Sequence, residues 1–113
     1  DLVIPFMHWG SEGEPVANAR QRQLARLMID AGADAVVGAH PHVVQDAEVY
    51  RGKPVVYSLG NFVFDGFDSL DQRTGWMLFL TVDRKGVRQW HVEPVRTDVD
   101  GVPHPLRNAK ALP

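Results

Sequence analysis

A chain of 113 residues, 44% hydrophobic and 23% charged, has the size and composition of one ordinary globular domain, which excludes a multidomain machine, a disordered segment and a fibrous repeat. Twelve Lys and Arg against 14 Asp and Glu give a net charge of −2 with the signs interspersed, so a basic footprint for nucleic acid is absent and no nucleic-acid partner is expected. Without cysteine there is no disulfide framework, thiolate metal cluster or cysteine nucleophile, and any metal must be held by nitrogen and oxygen.

No stretch approaches the roughly 18 consecutive apolar residues of a membrane span, and the N-terminus lacks a charged-then-apolar signal pattern. The chain opens at Asp1 directly on a strand-like run, which reads as a piece of a longer protein. Leu2 to Met7 is that run, bounded by Gly10 and the polar Ser11 to Glu14. Pro5 cannot donate to a ladder, so this strand is expected at an edge, at a bulge, or beside a neighbour supplied from elsewhere.

Between Asn18 and Ala31, Leu24, Leu27, Met28 and Ala31 recur at helical spacing and predict a buried face, with Arg20, Arg22, Gln23, Arg26 and Asp30 opposite. Asn18 with Gln21 suits a capping box, and Gly32 suits the left-handed position after the last turn. Ala33 to Gly38 follows as a strand parallel to the first. Ala47 to Tyr50 and Val55 to Leu59, joined through Arg51-Gly52-Lys53-Pro54, predict a hairpin. Gly75 to Asp83 and Val87 to Val95 predict a second one, whose first strand carries apolar residues on both faces and is expected to be covered on both. Asp98 to Pro113, with three prolines and no periodicity, reads as a loosely packed tail or linker.

Three of the five histidines occur where the two parallel strands end: His8 after the first, His40 and His42 after the second. Ligands of open α/β sheets gather outside the carboxyl ends of strands, so these side chains are expected to face one crevice. Imidazole is the usual nitrogen ligand of Zn, Mn, Fe and Ni, and two histidines at i and i+2 in extended backbone project to the same side. The competing reading of His40-Pro41-His42 is a pair of hydrogen-bonded loop residues. His91 reads as a half-exposed sheet residue and His104 as a solvated one. Phe62, Phe64, Phe67 and Trp76 read as core rather than as a platform for a polymer.

The runs His8-Trp9-Gly10-Ser11-Glu12, Asp30 through Gln45 and Tyr57 through Asp65 resemble the CapA family of poly-γ-glutamate or capsule biosynthesis proteins, whose domain is related to the calcineurin-like metallophosphoesterases. The resemblance covers about residues 1–97 and implies an α/β fold with a partly parallel sheet, a flanking helix and antiparallel hairpins, corresponding to the C-terminal half of a phosphoesterase-like sandwich; residues 98–113 would be tail or linker. It also implies a site for two divalent metal ions, with Mn, Fe, Zn and Mg not distinguished. His8 matches the single histidine ligand of those phosphoesterases, and His40 and His42 match their Gly-His-x-His, with Ala39 inserted after Gly38.

The family's amino-terminal Asp, Asn and His ligands, including the metal-bridging carboxylate, have no counterpart here, so the isolated chain is expected to be inactive even if its parent is a metal-dependent hydrolase. Its catalytic residues stay unassigned. Glu12 and Asn61 are candidates for supporting a ligand side chain or touching substrate. By the resemblance, the parent serves synthesis, export or anchoring of an anionic polymer on the extracytoplasmic side of the bacterial envelope. Its partners would be the N-terminal half of the same domain, the polymer and other capsule synthesis proteins. Two alternatives stand beside this: a non-catalytic envelope-assembly or polymer-binding module, and a different metal hydrolase, in which a His-x-His pair normally follows the first strand.

Overall fold

The computed structural model describes residues 1–106, so the end of the expected tail lies outside the described residues. The fold is α/β. Its elements in chain order are β1 (Phe6–His8), α1 (Ala19–Asp30), β2 (Val36–Ala39), β3 (Ala47–Tyr50), β4 (Lys53–Val56), β5 (Thr74–Asp83), β6 (Gly86–Thr97) and β7 (Pro103–Pro105). They form a four-stranded sheet in the order β1-β2-β4-β3 and a three-stranded sheet in the order β5-β6-β7. β1, β2 and β4 run parallel, and β3 closes the first sheet antiparallel to β4.

β1 is an edge strand, and it begins one residue after Pro5. The Pro5 carbonyl still accepts from the Val37 amide, so proline is placed where only its acceptor is needed. Asn18 and Gln21 form the expected capping box of α1, and Gly32 (φ 119°) follows the Ala31 cap.

The buried stripe of α1 differs from the expected one. Gln21, Ala25 and Ile29 are buried, Leu24 and Met28 pack beside them, and Leu27 and Ala31 are exposed. The helix turns its smallest apolar residue to the sheet. Gln21 is buried because its amide is used: Nε2 donates to Gln45 Oε1 at 2.8 Å, and Oε1 accepts from the Asn18 amide at 3.0 Å. Hydrophobic periodicity cannot register a buried polar residue of this kind. The core between α1 and the first sheet comprises Trp9, Ala17, Ala25, Ile29, Ala33, Val36, Val55 and Tyr57.

An ionic seam closes the far end of this layer. Arg22 reaches Asp46 at 2.6 Å and Glu48 at 2.9 Å, and the Tyr57 hydroxyl donates to Glu48 at 3.1 Å. Burial, and then the Glu48 carboxylate, push the Tyr57 phenol up to about 12, so it remains a donor across the physiological range. Desolvation alone would raise the Asp46 carboxyl, but the Ala17 amide and the Arg22 guanidinium together hold it below its ordinary value.

A carboxylate lowered in the folded state stabilises the fold above its unfolded pKa, about 3.9, and that contribution is lost as pH falls through the folded value. Asp34, held by the Val3 amide, and Asp98, held by His104, act in the same direction. We expect the urea midpoint to fall on acidification from about pH 5 to about pH 3, and Asp46→Asn to show a smaller fall. Equal acid sensitivity in the two proteins would show that Asp46 contributes nothing to it.

Both predicted hairpins form, the first with a tighter turn than expected, since Lys53 and Pro54 open β4 instead of belonging to the connection. The chain leaves β4 early, at Val56, because Leu59 and Gly60 bridge outward to Val44 and Gly75 and so join the two sheets. Two expectations are corrected in the second sheet. Pro103–Pro105, within the expected tail, pairs with Val95–Thr97 as a third strand; short proline-bounded strands carry no periodic signal. β5 is also not covered on both faces: Trp76, Met77 and Leu78 are half-buried and Phe79 is exposed. These residues line an open apolar groove of about 600 Å³ together with Phe6, Val37, Ala39, Leu59 and Phe62. The groove lies on the opposite face of the first sheet from α1. Phe62 and Phe64, expected in the core, are exposed, and Phe67 and Trp76 are half-buried.

Candidate functional site

His8 ends β1, and its register partner Ala39 ends β2, so His8 and His40 occupy the same rim of the sheet. Side chains alternate along a strand, which puts His8 on the same face as Phe6, at the end of the groove. The ring centroids of His8 and His40 are 4.3 Å apart, and those of His40 and His42 are 5.9 Å apart. The structure therefore brings the three histidines together, by a different backbone route from the expected one. His40 and His42 are not extended: their φ values are 105° and 60°. A positive φ is uncommon outside glycine and persists only where surroundings over-determine it.

Those surroundings are visible. The Trp9 amide donates to Ala39 O at 3.2 Å and the Gly13 amide to Pro41 O at 2.8 Å, tying the loop after β1 to the segment after β2. Trp9 is buried, and its indole N–H crosses Gly38 to reach the Tyr57 carbonyl at 2.8 Å. Gln45 then carries the order onward, its side chain donating to the Glu14 carbonyl at 2.9 Å. Trp9, Gln21 and Tyr57 were not singled out from the sequence as supports, and Gln45, like Ser58, read only as a weaker candidate than Glu12 and Asn61. A lone tryptophan after a histidine gives no signal, and nothing in the sequence pairs Gln21 with Gln45 until the fold joins them.

Asn61 is buried against His42. Its Oδ1 lies 2.8 Å from His42 Nδ1, and its Nδ2 donates to Gln72 O at 2.7 Å and His42 O at 3.3 Å. The rings of Phe64 and Phe67 lie 5.5 and 5.1 Å from that of His42. Glu12 is exposed in the loop after Trp9, and among the described residues no hydrogen bond ties it to the imidazoles. His91 is exposed, stacked on Phe79 at 4.8 Å and 3.5 Å from Glu93; His104 is exposed and bound to Asp98 at 2.7 Å. Neither belongs to the cluster.

As a donor set for a divalent ion, three clustered imidazoles have suitable chemistry, but the set is partial. Among the described residues no three His, Asp or Glu side chains are arranged, as they stand, to hold an ion. Donors from outside these residues, or a small closure of the rings, would be needed to complete a shell.

A family model described as bacterial capsule synthesis protein PGA_cap matches residues 1–66, more than half of the chain. The chain belongs to this family. The match contains β1 to β4 and all three clustered histidines, so the site lies within the part that defines PGA_cap membership. The PGA biosynthesis protein CapA of Bacillus subtilis is 60% identical over 65 residues, covering 58% of this chain and 17% of that protein. The capsule biosynthesis protein CapA of Bacillus anthracis is 54% identical over 65 residues, covering 58% and 16%. A probable polyglutamine synthesis accessory protein of Mycobacterium tuberculosis is 40% identical over 87 residues, covering 73% and 23%. The matched stretch thus spans less than a quarter of each of these relatives.

Proposed function

We propose that this PGA_cap chain contributes the histidine side of a divalent-metal site used in capsule or poly-γ-glutamate synthesis, export or anchoring at the extracytoplasmic face of the bacterial envelope. The observation that carries this reading is the convergence of His8, His40 and His42 at the carboxyl rim of the parallel sheet. The names of the relatives support the polymer assignment. His8, His40 and His42 would hold the metal, two ions being the expected complement. Bound there, it would polarise a phosphoryl, carboxyl or amide oxygen or lower the pKa of a coordinated water.

The remaining residues have defined tasks in this reading. Trp9 fixes the strand end that carries His8, the Gly13 to Pro41 bond fixes the loop that carries His40 and His42, and the groove beside them keeps one wall apolar. The missing donors, a bridging carboxylate among them, would come from another part of the same domain, and the anionic polymer and other capsule synthesis proteins are the proposed partners. The partial donor set favours one second reading: a module that retains the fold and binds polymer or partner proteins without chemistry.

Calorimetric titration with Mn²⁺ and Zn²⁺, of the chain and of a His8→Ala/His40→Ala variant, separates the two. Saturable binding that the double variant loses is expected. Equal binding by both, or none by either when the titration is repeated on a complete family member, would remove the metal role and leave the assembly module. The same double substitution in a complete family member should abolish polymer accumulation without lowering the amount of protein.

A further inference from the structure

The orientation of the Asn61 side chain is fixed from behind. Gln72 O and His42 O can only accept hydrogen bonds, so the two oxygens at 2.7 and 3.3 Å must face the amide NH₂. The Asn61 Oδ1 is thereby turned toward His42 Nδ1 at 2.8 Å. A neutral imidazole that meets an acceptor at Nδ1 carries its proton there and keeps its lone pair on Nε2. The amide is held in place, since Asn61 is only 6% exposed, and the rings of Phe64 and Phe67 limit how far the imidazole can swing. Gly75 packs so closely on the Asn61 carbonyl that a Cβ there would overlap it. The second sheet therefore seats Asn61, and Asn61 seats His42.

We propose that Asn61 is a positioning residue that locks His42 as the Nδ1-protonated tautomer and so makes Nε2 its one coordinating atom. The tautomer lock follows from the hydrogen bonds; the coordinating role rests on the metal reading above. A partner of this kind fixes both tautomer and ring direction, and its loss typically weakens metal binding about 10- to 100-fold. His8 and His40 lean on each other through their rings, and among the described residues no comparable acceptor orients either one.

Long-range ¹H–¹⁵N spectra of the ¹⁵N-labelled chain, recorded without metal above the imidazole titration range, read the tautomer of each histidine directly. Wild-type His42 is expected to show a protonated Nδ1. Asn61→Ala is expected to shift it toward protonated Nε2, the form free imidazole side chains favour, and to weaken Zn²⁺ binding about 10- to 100-fold. A wild-type His42 protonated at Nε2 overturns the proposal and needs no variant to fold. An Asn61→Ala chain that keeps protonated Nδ1 and unchanged Zn²⁺ affinity overturns it as well. A locked tautomer in the wild-type chain, together with a complete family member whose Zn²⁺ affinity is unchanged by loss of the residue matching His42, supports the lock and removes the coordinating role instead.

Discussion

His42→Ala is expected to weaken divalent-metal binding by at least the roughly 10- to 100-fold typical of losing a supporting residue, whereas His91→Ala is expected to leave it unchanged. The first substitution removes an imidazole that shares the rim with His8 and His40, leaving a pair where a trio stood. It also deprives Asn61 Oδ1 of its ring partner. The second removes an exposed ring from β6, outside the cluster, and its effect on stability should stay within about 0.5 kcal/mol, the range of ordinary surface changes. Zn²⁺ calorimetry with urea unfolding on both variants makes the comparison. Equal, near-wild-type affinities would make the His-Pro-His segment scaffold, and the polymer-binding module would then be the better account of the family membership.

The largest stability effect is expected from Gly38→Ala. Gly38 is buried in β2 with β1 and β4 on either side, and the Trp9 indole crosses its Cα to reach the Tyr57 carbonyl. A methyl group at this position would overlap both the indole nitrogen and the backbone oxygen. Neither can yield without breaking the hydrogen bond between them, and the oxygen belongs to a chain already held by the Tyr57 amide bond to Asp46. Overpacking of a filled interior costs about 1–3 kcal/mol, and separating a buried carbonyl from its donor about 1–3 kcal/mol more. We therefore expect a loss of about 3 kcal/mol or more in urea unfolding, accompanied by a red shift of Trp9 fluorescence that would need the other two tryptophans replaced to be read cleanly. A Gly38→Ala chain as stable as the wild type would mean that Trp9 is not anchored over this glycine.

Residues 18–32 show how much of the fold was legible. Asn18, Gln21 and Gly32 act locally, and local capping chemistry announces itself within a few positions of sequence. The buried stripe did not, because Gln21 is driven inward by a partner 24 residues away and Leu27 is left outside by the same rotation. Both hairpins were legible from turn residues and flanking strands. β7 was not, since its three residues acquire strand geometry only from β6.

The site divides in the same way. The strand-end rule places His8, His40 and His42 on one rim. That rule contains no information about backbone conformation, so the positive φ at His40 and His42 came as a correction. The importance of Trp9 could not be read either: its acceptor, Tyr57 O, is 48 positions away and becomes near only when β4 joins β2. The half-exposed aromatics misled for a related reason. Phe62, Phe64 and Trp76 have core-like chemistry, but among the described residues no second layer lies over the groove that they border or approach.

The segment between β2 and β3 is pinned at one carbonyl after another. Ala39 O accepts from Trp9, Pro41 O from Gly13, His42 O from Asn61 and Val43 O from Ser58. These donors come from two separate stretches of chain, residues 9–13 and 58–61, so no single neighbour can follow the segment if it slides. A changed side chain at one of these positions leaves the carbonyl ladder where it is. Adding or deleting one residue would put every later carbonyl opposite the wrong donor at once. Away from His40 and His42, the segment should therefore tolerate drift in composition far better than drift in length.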